Sequence, residues 1–314
     1  MLAAAILGLS VQRPLAWLAA HQGINVLLAI LVFATAITID PAALGRLARA
    51  WRSLLVAVAV GITVLPALSW AVSRLVSAGS LRDGVLAVGL APCEIASVAT
   101  TAMAGGESAV SAGVLIGSTV AAVALAGPIL TLEAGHAGVS PGGIIANLAL
   151  VVALPLAAGL AARASAGRLG ATRVLATPRA ETVAGRVALA AVAALVALIA
   201  AEVRLSAAYL AVAAALFIFL LGSALVGRAL GVRSSRPTAT ALLLTTSMRD
   251  FAIAAGLATA AFGPAAAAPL GLYGIAVLVW GTAVAGVLRQ RAVTPTPLQQ
   301  NPTTQQQNPT TNPN

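Results

Sequence analysis

Apolar residues run through this chain in long blocks. Stretches such as VLLAILVFATAITI (26–39), LLVAVAVGITVLPALSWAV (54–72) and VALAAVAALVALIAA (187–201) are apolar on every side, with no polar stripe recurring at helical spacing. A helix hydrophobic all round belongs in a core or in lipid. One helical crossing of a bilayer takes about 20 such residues. By that measure spans fall at about 2–20, 23–39, 53–76, 82–104, 108–132, 143–162, 184–201, 206–229, 238–261 and 266–288. There are ten, or nine if the short first one does not cross. The alternating segments of a β-barrel are absent from the pattern.

Composition agrees. The 314 residues are 60% hydrophobic and 8% charged, with a mean hydropathy of +1.00, too apolar for a water-facing surface. The net charge of +10 does not point to nucleic acid, which needs basic residues clustered with aromatics on one face. Here the arginines punctuate the ends of spans. Arg46, Arg49 and Arg52 follow the second span, Arg163, Arg168, Arg173, Arg179 and Arg186 the sixth, Arg228, Arg233 and Arg236 the eighth, and Arg289 and Arg291 the tenth. Odd loops are poorer in positive charge, with Glu133 in one and Glu202 beside Arg204 in another. The positive-inside rule then puts both termini in the cytoplasm of a multi-pass inner-membrane protein. The start, MLAAAILGLSVQRPLAWLAA, lacks a positive region before its apolar run and reads as a short first helix, not a signal peptide. The single cysteine, Cys93, excludes an intramolecular disulfide.

Residues 1–291 thus read as one transmembrane domain, and the Pro-, Gln-, Asn- and Thr-rich residues 292–314 as a disordered cytoplasmic tail. Ten spans divide into two five-span halves, about 1–135 and 140–291, and an odd number of spans inverts the second half. Inverted repeats with one broken helix in each half are a common plan of secondary transporters, whose sites lie near the midplane. The fourth and ninth spans hold corresponding places. They also hold the charges Glu94, Arg249 and Asp250, each worth roughly 2.5–3.5 kcal/mol against insertion at a helix centre.

Those charges therefore face the bundle interior. Pro92 removes a backbone donor and drives Ala91 away from helix, so the fourth span unwinds between Pro92 and Ser97, where Ser97, Thr100 and Thr101 can satisfy freed carbonyls. In the ninth, the polar run Thr245, Thr246, Ser247 leads into Arg249 and Asp250, and no Pro or Gly marks a break. One reading makes Arg249 a neutral lock with Glu94 or Asp250; another makes the group a binding site. Neighbours on an intact helix diverge by about 100°, so Arg249 pairs more readily across the bundle. His21 and His136 sit near span ends and read as interfacial. Without HExxH or a nucleophile elbow, neither a bound metal nor a cofactor is implied. Cys93 reads foremost as a small buried hydrophobe.

From about Gly23 to Arg289 the chain resembles the bile acid:sodium symporter superfamily. The family's PGGxxSN on the fourth helix is similar to Pro92, Cys93, Glu94, Ile95, Ala96, Ser97 and Val98, and its next stretch to Ala104 through Ser111. Ser118, Thr119 and Pro128 match later positions, and ExGMQNSxLA on the ninth helix corresponds to Thr245 through Ala254. The resemblance implies fourth and ninth helices that are broken and cross. It also places the family's sodium-ligand positions at Thr245, Arg249, Val98 and Gly61, with Ser97 and Ser111 the hydroxyls that remain. An arginine at such a position repels a second cation in low dielectric. The guanidinium, neutralised by Glu94 or Asp250, is then expected to replace sodium.

The expectation is an all-α secondary transporter of a small organic anion in the lipid bilayer, without nucleic acid and with protein partners unspecified. It would work by alternating access, and its substrate or ion site would contain Glu94, Ser97, Ser111, Thr245, Thr246, Arg249 and Asp250. Glu94 and Asp250 are the candidates for carrying a coupled proton. A second reading rests on Leu90, Ala91, Pro92 and Cys93, which resemble the LAPC of arsenite efflux permeases, with Phe262 and Gly263 also similar; Cys93 would be the metalloid ligand. Residues 101–104 depart from that branch. A membrane-embedded enzyme is the third, disfavoured by the scarcity of paired acids.

Overall fold

The computed structural model describes residues 8, 10–39, 51–77, 79–134, 140–165, 177–201 and 207–293. Arg46, Arg49, Arg168, Arg173, Glu202, Arg204, His136 and the expected tail beyond Val293 lie outside them. The described chain is helical. In order come α1 (Gln12–Ala20), α2 (Gly23–Thr38), α3 (Trp51–Ser73), α4 (Ser80–Leu90), α5 (Ala96–Met103), α6 (Ser108–Ala134) and α7 (Pro141–Leu148). A π-turn (Ala149–Ala153) joins α7 to α8 (Leu154–Ser165); then follow α9 (Pro178–Ala201), α10 (Ala208–Gly231), α11 (Arg236–Ser247), α12 (Phe251–Phe262), a 3₁₀ turn (Pro264–Ala267) and α13 (Ala268–Val293).

Within the described residues the helices overlap the expected apolar blocks, and much of the expected span at about 2–20 lies outside those residues. Among the described residues six helices are long and apolar enough to cross a membrane unaided: 51–73, 108–133, 141–165, 179–201, 208–231 and 264–290, or seven stretches if α1 and α2, bent by 70°, count as one. The fourth and ninth predicted spans are each divided into two short helices, so neither passes that test as a single rod. Large apolar side chains face outward, Leu132, Leu210 and Leu225 among them, as lipid contact requires.

Packing sorts the helices. Helix α2 lies against α8 and α9, and α1 against α9. Helix α3 lies against α4, α6 and α10, and α10 against α11. Helices α12 and α13 touch members of both groups. At the ends of α3, Arg52 sits 5.4 Å from the Trp51 ring and Arg74 4.4 Å from that of Trp70. Arg74 and Arg82 add positive charge to the odd loop between α3 and α4. His21 caps α1, its Nδ1 2.7 Å from the Trp17 carbonyl and its ring stacked on Trp17.

Candidate functional site

Helix α4 stops at Leu90 because Ala91, preceding Pro92, is forced to extended backbone (φ −66°, ψ 150°). Helix α11 stops at Ser247 without a proline. Met248 turns extended (φ −92°, ψ 103°), and Asp250 restarts the chain as the N-cap of α12, its Oδ1 accepting from the amides of Ala252 (2.9 Å) and Ile253 (2.8 Å).

The two breaks satisfy each other. Cys93 and Arg249 face each other in a short antiparallel bridge, in which the Glu94 amide donates to the Met248 carbonyl (2.8 Å) and the Asp250 amide to that of Pro92 (2.9 Å). The Cys93 amide donates to Ser118 Oγ (3.1 Å) and the Arg249 amide to the Tyr273 hydroxyl (3.3 Å). Unwound backbone in a membrane survives only when every freed group finds such a partner. Tyr273 and Ser118 serve that purpose. Nothing in the local sequence marks Tyr273 for it, whereas Ser118 stands in the Ser-Thr pair already singled out.

The guanidinium of Arg249 is buried, and its Nη2 donates to the carbonyls of Ala91 and Gly61, the latter at 3.4 Å. A Cβ on Gly61 would lie 3.4 Å from Nη1, in ordinary contact, so a side chain longer than that of alanine is what would crowd the guanidinium there. Among the described residues Arg249 has no ion pair; the one such pair is Arg163–Glu181, at 2.5 Å. The expected lock with Glu94 or Asp250 is corrected on this point: the partners are backbone oxygens. An unwound peptide offers the same hard oxygens to a guanidinium that it would offer to a metal cation.

The acids take the other polar groups at the crossing. The amides of Ile95, Ala96 and Phe251 face the Glu94 carboxylate, while that of Ile95 also faces Asp250. Glu94 Oε2 and Asp250 Oδ2 are buried without a hydrogen-bond partner among the described residues. The positive ends of two short helices thus converge on two side-chain carboxylates of the chain itself.

The remaining expected residues divide. Ser97 is buried one turn beyond the break, its hydroxyl 3.9 Å from Cys93 Sγ. Ser111 accepts from Thr101 Oγ1 at 3.3 Å. Thr245 donates to the Ala241 carbonyl of its own helix at 2.7 Å. Thr246 is buried where α11 crosses Gly227 of α10. Cys93 is fully buried, and the described residues hold no cluster of three or more His, Cys, Asp or Glu suited to a metal ion.

A cavity of about 600 Å³ lies beside the crossing, between α2 and α9 on one side and α5 and α6 on the other. Its wall includes Thr35, Thr38, Ile95, Val98, Ala102, Leu115, Ala188, Val192 and Phe251, with Glu94 as the one charged residue. Arg249 and Asp250 are not on it, so of the three charges at the crossing Glu94 is the one that reaches the cavity wall.

Several apolar crossings and two broken helices bonded at a charged junction define a multi-pass membrane protein of the transporter type. The sequence profile of the sodium bile acid symporter family matches residues 25–213, more than half of the 314-residue chain, and the protein belongs to that family. The matched segment includes the first break and ends before the second. Members of the family are transporters, not enzymes, and membership suggests sodium-coupled movement of bile-acid-like solutes. No curated protein matches the chain.

Proposed function

We propose that the protein is a secondary active transporter working by alternating access, in which the Arg249 guanidinium stands where relatives hold a coupling cation. The observation that carries this is the bonding of Nη2 to the carbonyls of Ala91 and Gly61, one from the first break and one from α3. A second cation a few ångströms away would meet strong repulsion in that buried setting.

Two inverted five-span halves account for the order of elements. Each half has an unbroken helix (α3, α10), then a divided pair (α4 and α5, α11 and α12), then a long helix (α6, α13). With the arginine-rich loops inside, both termini are cytoplasmic. The cavity, lined near the end of α2 by Thr38 and Ile39 and near the start of α9 by Gly185, opens toward the cytoplasm of an inner membrane. Rocking of the group around α2 and α9 against the group around α3 and α10 would expose it to the other side. Pro92 maintains the first break, and Ser97, Ser111, Thr245 and Thr246 line up the crossing behind the charges. The substrate of this reading is a small organic anion, as the bile-acid-like solutes of the family suggest; the Arg249 guanidinium bonds carbonyls and stands off the cavity wall, so it would act on that anion at a distance. Metalloid efflux through Cys93 has little support from geometry, since the thiol is fully buried and stands alone.

The test is labelling of Ala102→Cys with a membrane-impermeant maleimide in vesicles of both orientations; buried Cys93 supplies a silent background. Alternating access predicts labelling from both faces. Labelling from one face under all conditions would leave a one-sided pocket and defeat the reading.

A further inference from the structure

Few polar groups on the cavity wall can receive an anionic head. Thr35 and Thr38 already donate their hydroxyl protons to the carbonyls of Leu31 (2.8 Å) and Thr35 (2.7 Å). The Arg249 guanidinium holds two carbonyls and stands off the wall. The first amides of α12 are capped by Asp250. Among the wall's described side chains two donors are left: the Ser108 hydroxyl and, whenever it holds a proton, the Glu94 carboxyl.

The surroundings of Glu94 favour that proton. The residue is 5% exposed, forms no ion pair among the described residues, and leaves Oε2 without a hydrogen-bond partner among them. The titratable and charged groups around it are Asp250 and Arg249 on the second break, Tyr273 on α13 and Cys93 beside it. The cavity faces of α2, α6 and α9 carry none. Of the two acids Asp250 is the better placed to stay ionised, since two amides cap it and Arg249 is its chain neighbour. Two carboxylates at one crossing resist ionising together, and an acid taken out of water without a cation neutralises instead. The amides of Ile95, Ala96 and Phe251 that face Glu94 can bond to the carbonyl oxygen of the neutral acid. The other oxygen then has an O–H to donate.

An amphipathic anion entering this chamber meets apolar walls for its body and one buried acid for its head. Were Glu94 ionised, the head would face a like charge in low dielectric, with Ser108 as its one donor. Resting on the transport reading for the cavity's role, we infer that Glu94 receives the anionic head of the solute as a neutral acid that donates its O–H, so that the cavity binds its anion only while Glu94 holds a proton. Glu94 is then the residue that ties head-group recognition to protonation. Binding is full where Glu94 is protonated and is lost as pH rises through its titration.

The experiment titrates taurocholate, an amphipathic anion whose sulfonate stays ionised at every pH used, into the full chain in nanodiscs, with protein-free nanodiscs subtracted. Between about pH 6 and about pH 9 the unaltered chain should lose ~10-fold or more in affinity, the worth of one hydrogen bond to a charged group. Glu94→Gln, which keeps a neutral donor at every pH, should bind within ~3-fold of the parent at the lower pH and hold that affinity at the higher. Glu94→Ala, without a donor, should be at least ~10-fold weaker at the lower pH. Ala188→Trp, which fills the cavity from α9, should abolish binding. Affinity that ignores pH in the unaltered chain overturns the inference, as does a pH dependence that survives Glu94→Gln, parental affinity in Glu94→Ala, or binding that survives Ala188→Trp. Should Glu94→Ala fail to fold, the pH profiles of the unaltered chain and of Glu94→Gln still decide. Proton-linked binding with one-sided labelling of Ala102→Cys would refute transport and spare this inference. Binding that ignores pH, with two-sided labelling, would do the opposite.

Discussion

Replacing Arg249 with glutamine removes the buried cation and leaves the Ala91 carbonyl, in the unwound segment before Pro92, without its donor. A hydrogen bond to a charged group contributes about 1.5–3 kcal/mol. The second bond, longer at 3.4 Å to Gly61, adds less, on the order of 0.5 kcal/mol. Against this stands relief from burying a cation whose Nε has no partner among the described residues. The net loss works out at about 2–3 kcal/mol, or roughly 5–10 °C in Tm at about 2–4 °C per kcal/mol. Arg249→Lys keeps the charge but not the fork, and should fall between the two. The assay is tryptophan-detected melting of purified protein in sodium-free buffer. A sodium ion bound with a Kd of ~10 mM would add ~1.6 kcal/mol at 150 mM salt, so sodium should leave the Tm of the unaltered chain unmoved relative to choline. An Arg249→Gln variant melting within about 1 °C of the parent would refute the reasoning.

Gly61→Leu should displace the guanidinium and destabilise the chain. Combined with Arg249→Gln it should cost less than the sum of the two, by at least ~0.5 kcal/mol in a double-mutant cycle; strict additivity would mean that Gly61 does not house Arg249. Asp250→Ala should lower stability by about 1–2 kcal/mol through loss of the α12 cap, with Asp250→Asn retaining most of it, as read by the same melting curves. Thr238→Val should cost about 1 kcal/mol, since the Thr238 hydroxyl donates to Glu107 Oε2 at 2.8 Å and ties the start of α11 to the turn before α6. Arg163→Ala, by contrast, should change Tm by less than 1 kcal/mol equivalent, because Glu181, its partner, is 44% exposed.

The first break was legible because its cause is local: Pro92 alone dictates where α4 ends. The second also has a local sign, an aspartate three residues after Ser247 at the head of an apolar run, which is an N-cap signal. The partners of Arg249 were not legible. They are backbone carbonyls, which carry no side-chain signature, and Gly61 stands 188 residues away in the chain. The cavity was hidden for a different reason. Ala102, Ala188 and Val192 look in sequence like any lipid-facing residue, and only the angle between the group around α2 and the group around α5 turns them into a wall.

The central claim is that a tethered guanidinium replaces a coupling cation at the crossing. Its most direct test is the initial rate of uptake of a bile acid into proteoliposomes, above the protein-free background, with sodium replaced by choline on both sides of the membrane. The account predicts an unchanged rate. A rate that falls to the protein-free background without sodium, and recovers when sodium is restored, would contradict it.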